Sequence, residues 1–291
     1  MDKTYSFVIP HHNTPDLLQR LVDSIPQRED IEIIVVDDNS DAEKKAAVKR
    51  QDVKTIFIDK EHSRGAGRAR NVGLKYVTGK WILFADSDDF YDSSLESCLN
   101  VANDNTDADI IYFKVRGVNS DTLESIRRGT EYNNYVEFYL NGGFKAEDRI
   151  RFFHRVPWGK IYRTSFIKEG NYVFEETPTG NDMMFCCKTG AFAKKILVSD
   201  KILYVVTSRE GSLTKRLDRI ACRSRFEVKV RQNKFVKSVG KSYCALPLMK
   251  HLRIAWKYFG FFELFYYFII LLKKRVNPLT ARRYRYYFSN R

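Results

Sequence analysis

Five short apolar runs punctuate the first 115 residues: Tyr5 to Ile9, Ile31 to Val36, Thr55 to Ile58, Trp81 to Ala85 and Ile110 to Val115. Strand-length runs alternating with helical patterns predict βαβ units, and hence an α/β fold around a mostly parallel sheet. Thr14 followed by Pro15 marks the N-cap and first position of a helix that carries Leu17, Leu18, Leu21 and Val22. Further helices are expected from about Ala66 to Val77, stopping near Gly79, and from Ser93 or Ser94 onward.

Two of the predicted strands stop abruptly on acids. IEIIVVDDNSD ends in Asp37 and Asp38, and ILFADSDDF ends in Asp86, Asp88 and Asp89. Ligands of an open α/β sheet bind at the carboxyl ends of its strands. Carboxylates gathered there suit a hard cation, which takes oxygen ligands and shares them with substrate phosphates. Asp37 alone reads as a turn former. Asp86, Asp88 and Asp89 read as a metal site, because three crowded carboxylates repel one another and a cation relieves that repulsion.

The 291 residues can hold one large domain with an appendage. The five cysteines, Cys98, Cys186, Cys187, Cys222 and Cys244, lack C-x-x-C spacing and read as reduced, mostly buried thiols of a cytosolic protein. MDKTYSFVIP has none of the marks of a signal peptide. The net charge of +14 is uneven: 21 Lys and Arg face four acids from Arg209 onward, so the preceding residues are slightly acidic. A basic tail suits nucleic acid or an anionic membrane surface. Within it, Ile254 to Leu272 is nearly all apolar, interrupted by Lys257 and Glu263 and flanked by KKR and RRYRYYF. That pattern favours an interfacial helix over a spanning one, and the competing expectation is a buried helix pair of the same domain. Gly117 to Gly143 reads as irregular, Ile196 to Val198 and Ile202 to Thr207 as short strands, and Leu213 to Arg291 as helical. The expected organisation is therefore residues 1–115, 116–212 and 213–291.

FVIPHHN, VVDDNSD, GRARNVGL, GKWILFADSDDF, WGKIYR and GNDMMF, in this order, resemble the family 2 glycosyltransferases of bacterial capsule and cell-surface polysaccharide synthesis. The resemblance covers residues 1 to about 212. It implies a GT-A fold, a nucleotide-sugar donor, a divalent cation (Mn²⁺ or Mg²⁺) and inversion at the anomeric carbon. It makes Asp88 the first metal ligand, Asp86 a neighbour of ribose or metal, and Asp89 either a ligand or an acid behind one. Asp38 matches the carboxylate that accepts a base imide N–H, which suits uracil or thymine. Pro10, His12 and Asn13 match the nucleotide pocket, with His12 in place of the usual tyrosine. His11 and His12 do not form a metal pair, since neighbours on a strand point to opposite faces. Arg70 and Asn71 match the A-R-N element and are expected near the nucleotide. Asp182 matches the general base, preceded here by Asn181 where the family usually has Glu. Trp158 and Lys160 match W-x-K on the acceptor side.

The expected enzyme is non-processive, because Q-x-x-R-W and a set of spans are missing, and its acceptor is a lipid-linked saccharide at the inner face of the plasma membrane. A nucleotidyltransferase would carry a Gly-rich basic motif where this chain has PHHNTPD. A nucleic-acid-binding role for the tail is the non-enzymatic alternative, and nucleic acid is the less expected partner.

Overall fold

In a computed structural model that describes residues 2–209 and 217–279, all seven residues of β1 (Tyr5–His11) are buried. Total burial follows from cover on both faces. Phe7, Ile9, Ile33, Val35 and Leu83 meet Leu18, Leu21, Leu95 and Leu99 on one side of the sheet. Val8, Ile34, Val36, Ile82 and Phe84 meet Ala69, Ile167 and Phe185 on the other. Alternate residues of one strand thus fill two cores, which is why these strands are apolar throughout.

The remaining strands are β2 (Ile31–Asp38), β3 (Val53–Ile58), β4 (Trp81–Phe84), β5 (Phe90–Tyr91), β6 (Ile110–Asn119), β7 (Lys160–Arg163) and β8 (Ile196–Ser208). They form one eight-stranded sheet in the order β3-β2-β1-β4-β7-β6-β8-β5. The first four strands are mutually parallel, as is the β6–β8 pair. β7 runs antiparallel between β4 and β6, and β5 antiparallel to β8, so the sheet is mixed beyond residue 84. Register pairs His11 with Asp37 and Val8 with Phe84. The strand order reverses beside β1, and this switch opens a crevice at the carboxyl ends of β2, β1 and β4.

Helices α1 (Pro15–Asp23), α2 (Ala66–Leu74), α3 (Leu95–Asp104), α6 (Thr164–Glu169) and α7 (Met183–Phe192) cover the sheet. Thr14 makes no capping bond to α1; its hydroxyl instead meets the Ser87 hydroxyl at 3.1 Å. The stretch expected to be irregular contains α4 (Thr130–Leu140), followed by α5 (Ala146–Phe153). α4 buries only Val136 completely, so it carries little periodic signal. The two short strands expected after Ile196 are one strand, β8, interrupted by exposed Asp200 and Lys201 where its register against β6 slips.

The basic C-terminal part comprises α8 (Arg219–Ser238), α9 (Met249–Ile254) and α10 (Phe261–Lys274). Asp218 caps α8 by accepting from the Ala221 N–H at 2.9 Å. The continuous apolar helix expected over Ile254 to Leu272 is broken: a π-helical turn spans Ala255–Phe259, and Gly260 takes a φ of 80°. That left-handed conformation favours glycine and starts a new helix direction. α10 lies on α8. Its Tyr267 stacks on Phe226 with centroids 4.0 Å apart, and buried Glu263 receives two 2.7 Å bonds from Arg223. The opposite face carries exposed Phe261, Phe262, Phe265, Phe268 and Leu272. The face packed on α8 is buried in the domain, and the other face is exposed. No helix among the described residues is long and apolar enough to cross a membrane, and the flank RRYRYYF lies outside the described residues.

This division sets different expectations for the two faces. Tyr267→Ala should lower the unfolding free energy by about 3 kcal/mol, as for other large aromatic truncations in a core. Phe262→Ser should change it by less than about 0.5 kcal/mol. Urea unfolding monitored by circular dichroism reads both, and equal losses would refute the assignment of faces.

Candidate active site

The acids after β2 divide their tasks. Asp37 accepts from the backbone N–H groups of Ser40 (2.8 Å) and Ala46 (2.7 Å) and from His11 Nδ1 (2.9 Å). His11 Nε2 accepts from the Thr14 N–H at 3.2 Å, so the proton sits on Nδ1. Burial opposes ionisation of Asp37, but these bonds outweigh it and hold the carboxyl below its ordinary value. Asp37 is thus the brace of the turn after β2. Asp38 accepts from the Gly65 N–H at 2.7 Å through Oδ2, while its buried Oδ1 has no partner among the described residues. A buried acceptor left open in this way is a place for a ligand N–H.

Beside it, Pro10 is buried near the end of β1. His12 is exposed, with Nδ1 3.0 Å from the Asp38 carbonyl. Asn13 has a φ of 58°; it donates its backbone N–H to Ser40 Oγ at 2.9 Å and accepts from the Asp41 N–H at 2.8 Å. Asn13 therefore locks the β1–α1 loop against the turn after β2, leaving His12 at the rim.

After β4, four bonds fix the acidic turn. The Asp86 N–H donates to Tyr204 Oη (2.9 Å), and the Asp89 N–H to the Asp86 carbonyl (3.0 Å). The Asp88 carbonyl accepts from Arg20 and from Thr207 Oγ1, each at 2.8 Å. Asp89 itself points inward, is 2% exposed, and accepts from the Thr207 N–H at 2.6 Å. Asp89, expected either as a metal ligand or as an acid behind one, is thus turned into the protein and braced by β8. The Asp88 carboxylate faces outward, 3.8 Å from Arg209. Burial and then the Asp86 charge push Asp88 above its ordinary carboxylate value. Burial followed by Asp88 and Asp86 does the same to Asp89. Oxygen donors in mutual repulsion fit a hard divalent cation. No group of three or more His, Cys, Asp or Glu side chains suited to a metal occurs among the described residues. A cation held by Asp86 and Asp88 would thus take its remaining ligands from a diphosphate and water.

Arg70 joins this turn to the start of α7. It is 4% exposed, donates to Asp86 and, at 2.9 Å, to Asn181 Oδ1, and lies over the Phe174 ring at 5.2 Å. Asn71 exchanges bonds with both backbone groups of Phe174, at 2.8 and 3.0 Å. At Gly67 a Cβ would stand 2.1 Å from the Glu175 carbonyl oxygen, so α2 packs directly on this segment. Arg70 and Asn71, expected near the nucleotide, thus bond Asp86 and residues 174–181, while the buried Arg70 Nε has no partner among the described residues.

Asp182 stands at the N-cap of α7, yet its carboxylate makes no capping bond. Burial raises its pKa, Asp86 adds to the rise, and Arg70 offsets part of it. Trp158 and Lys160, expected on the acceptor side, are 5% and 1% exposed. Trp158 stacks on Tyr204 with centroids 5.5 Å apart, supporting the ring whose hydroxyl holds Asp86. Lys160 donates to the His154 carbonyl at 2.5 Å, and burial lowers its pKa. Both lie beneath the site because β7 runs through the middle of the sheet. Sequence reasoning missed Arg20, Tyr204, Thr207 and Arg209. Only the strand-like run Ile202 to Thr207 contained the second and third.

The family model described as glycosyl transferase family 2 matches residues 6–170. TarS of Staphylococcus aureus, a poly(ribitol-phosphate) beta-N-acetylglucosaminyltransferase, is 28% identical over 222 residues, covering 71% of this chain and 36% of TarS. A poly(ribitol-phosphate) beta-glucosyltransferase of Bacillus spizizenii is 31% identical over 217 residues, covering 71% of this chain and 32% of that protein. The chain thus spans about a third of the length of these curated relatives. Among solved structures, residues 1–349 of S. aureus TarS in complex with UDP-GlcNAc superpose with a TM-score of 0.58 at 22% identity, over 93% of this chain and 73% of that one. The mannosyltransferase PcManGT of Pyrobaculum calidifontis, in complex with GDP-Man and Mn²⁺, gives 0.53 at 13% identity, over 100% and 89%. With more than half of its length matched by the family model, the chain belongs to glycosyl transferase family 2, built on the GT-A fold.

Proposed function

We propose that the protein transfers one sugar, with inversion, from a uridine-diphosphate sugar to a hydroxyl of a lipid-linked saccharide at the inner face of the plasma membrane, in surface-polysaccharide synthesis. The observation that carries this reading is the juxtaposition, through the single side chain of Arg70, of the acidic turn at Asp86 and the segment bearing Asp182. The likeness to poly(ribitol-phosphate) glycosyltransferases supports an acceptor of the cell-surface polymer class.

The open Oδ1 of Asp38 accepts the imide N–H of uracil, with His12 at the rim of the base pocket. Asp88 and Asp86 would hold a divalent cation, Mn²⁺ or Mg²⁺, whose charge would stabilise the departing diphosphate. Asp182 takes the proton of the acceptor hydroxyl. The hydroxyl oxygen forms the new bond to the anomeric carbon from the face opposite the donor phosphate. The old carbon–oxygen bond breaks, and its electron pair leaves on the nucleoside diphosphate. A base raised above the ordinary carboxylate range binds the proton more strongly than an exposed aspartate, and Asn181 keeps Arg70 in place without adding a negative charge.

Three outcomes test the assignment. Asp88→Asn should lower transfer by about 10²-fold or more and remove the strengthening of UDP binding by Mn²⁺ in calorimetry; full activity of the unmodified protein in excess chelator would exclude the metal role. The unmodified protein should bind UDP more tightly than GDP or ADP in the presence of metal, and Asp38→Ala should lose about 1–3 kcal/mol of UDP affinity, the range expected when a buried partner is removed. Equal affinity for the three diphosphates would contradict the pocket. Asp182→Asn should lower kcat by about 10²–10⁴-fold while UDP affinity persists. Because the base must be ionised, activity should fall as pH drops through the Asp182 pKa, which burial and Asp86 hold above the ordinary value. Arg70→Gln removes the offsetting cation, so its acid limb should move to higher pH; a limb unchanged or moved downward would separate Asp182 from the base role.

A further inference from the structure

Eight of the 17 exposed large apolar side chains among the described residues fall between Trp256 and Leu279. They are not scattered. Phe261, Phe262, Phe265, Phe268 and Leu272 recur at helical spacing on the face of α10 turned away from α8. Phe262 is 86% exposed and Leu272 77%, and the Phe261 ring touches both neighbouring rings, at 6.0 Å from Phe262 and 6.2 Å from Phe265. Trp256 and Tyr258 extend the patch across the π-helical turn. A water-facing stripe of this kind requires a partner.

Charge selects the partner. Exposed Lys257 precedes the stripe, and exposed Lys273, Lys274 and Arg275 follow it. The one acid between residues 241 and 279, Glu263, is buried on the other face and held by Arg223. Cations at both ends, with no exposed acid between them, repel a second copy of the same patch. They attract lipid phosphates, and tryptophan and tyrosine favour the headgroup level of a bilayer. The 14-residue α10 is too short to cross the hydrocarbon and suits a helix lying in its surface.

We propose that this face docks the protein on the interface of an anionic lipid bilayer, with the rings of α10 at the acyl boundary and the flanking lysines on lipid phosphates. The inference deepens the membrane-facing acceptor proposed above and rests on that reading for its purpose. The docking is mechanically linked to the site. α8, which carries α10, is bound to the segment leading to Asp182 through Arg231 with Glu175 (2.7 and 2.9 Å) and Ser224 with the Thr179 carbonyl (2.8 Å). A bilayer under α10 therefore fixes the height of Asp182 above the surface.

The test uses the full chain without substrate, so that failure of the sugar-transfer reading leaves it intact. In flotation, the protein should rise with vesicles containing phosphatidylglycerol and much less with pure phosphatidylcholine. High salt should release only part of it, because the apolar contact is not screened. The double variant Phe262→Ser, Phe265→Ser should float with about tenfold or more lower affinity. Lys273→Ser with Lys274→Ser should remove mainly the salt-sensitive part. Vesicle binding equal in the phenylalanine variant and the parent, or absent from the parent, would overturn the proposal. A concentration-dependent dimer in light scattering that the phenylalanine variant abolishes would also overturn it and assign the face to a second copy.

Discussion

The buried guanidinium of Arg70 is the constraint on which the rest of the site depends. One side chain bonds the acid at the end of β4 and the amide at the start of α7, while its plane rests on Phe174. Two elements 95 residues apart in the chain, Asp86 and Asn181, are thereby fixed relative to each other. A planar cation with several donors can do this; a lysine, with one point charge, would have to choose between the partners. The remaining features of α2 serve the same end: Gly67 admits the Glu175 carbonyl, and Asn71 clasps Phe174 from both sides of its backbone. α2 is therefore the rod that sets the distance between the acidic turn and the start of α7.

Around that rod, acids of one chemical type have been sorted by their hydrogen bonds. Asp37 and Asp89 spend their oxygens on backbone N–H groups and shape turns. Asp38, Asp88 and Asp182 keep at least part of a carboxylate free of such bonds. The difference is local geometry, since adjacent residues of a strand or turn point in opposite directions. Asp37 and Asp89 thus brace the turns from which Asp38 and Asp88 project.

Much of this was legible in the sequence. β1, β2 and β4 declared themselves because they are buried on both faces, and the acids after β2 and β4 followed from where such strands stop. α4 stayed hidden because it buries a single side chain fully, and β7 because four residues give no period. Trp158 and Lys160 were assigned to the acceptor side from their motif, although burial is a property of the strand they flank and follows from the sheet order rather than from the motif. The direction in which Arg70 points was equally unreadable, since its partners lie 16 and 111 residues away. The break at Gly260 was written in the sequence, but a lone glycine inside an apolar run does not reveal the conformation it adopts.

The bracing of the acidic turn by β8 has a consequence for the order in which the molecule matures. Tyr204 and Thr207, which hold Asp86, Asp88 and Asp89, lie 118 or 119 residues downstream of the groups they grip. Chains are made from the amino end, and early segments wait for later ones. A ribosome-bound chain that has just passed Phe90 owns all three acids and the upstream Arg20 and Arg70, but not the grip of Tyr204 and Thr207. The acidic turn is therefore among the last parts to set, its bracing complete only after the strand that grips it has emerged.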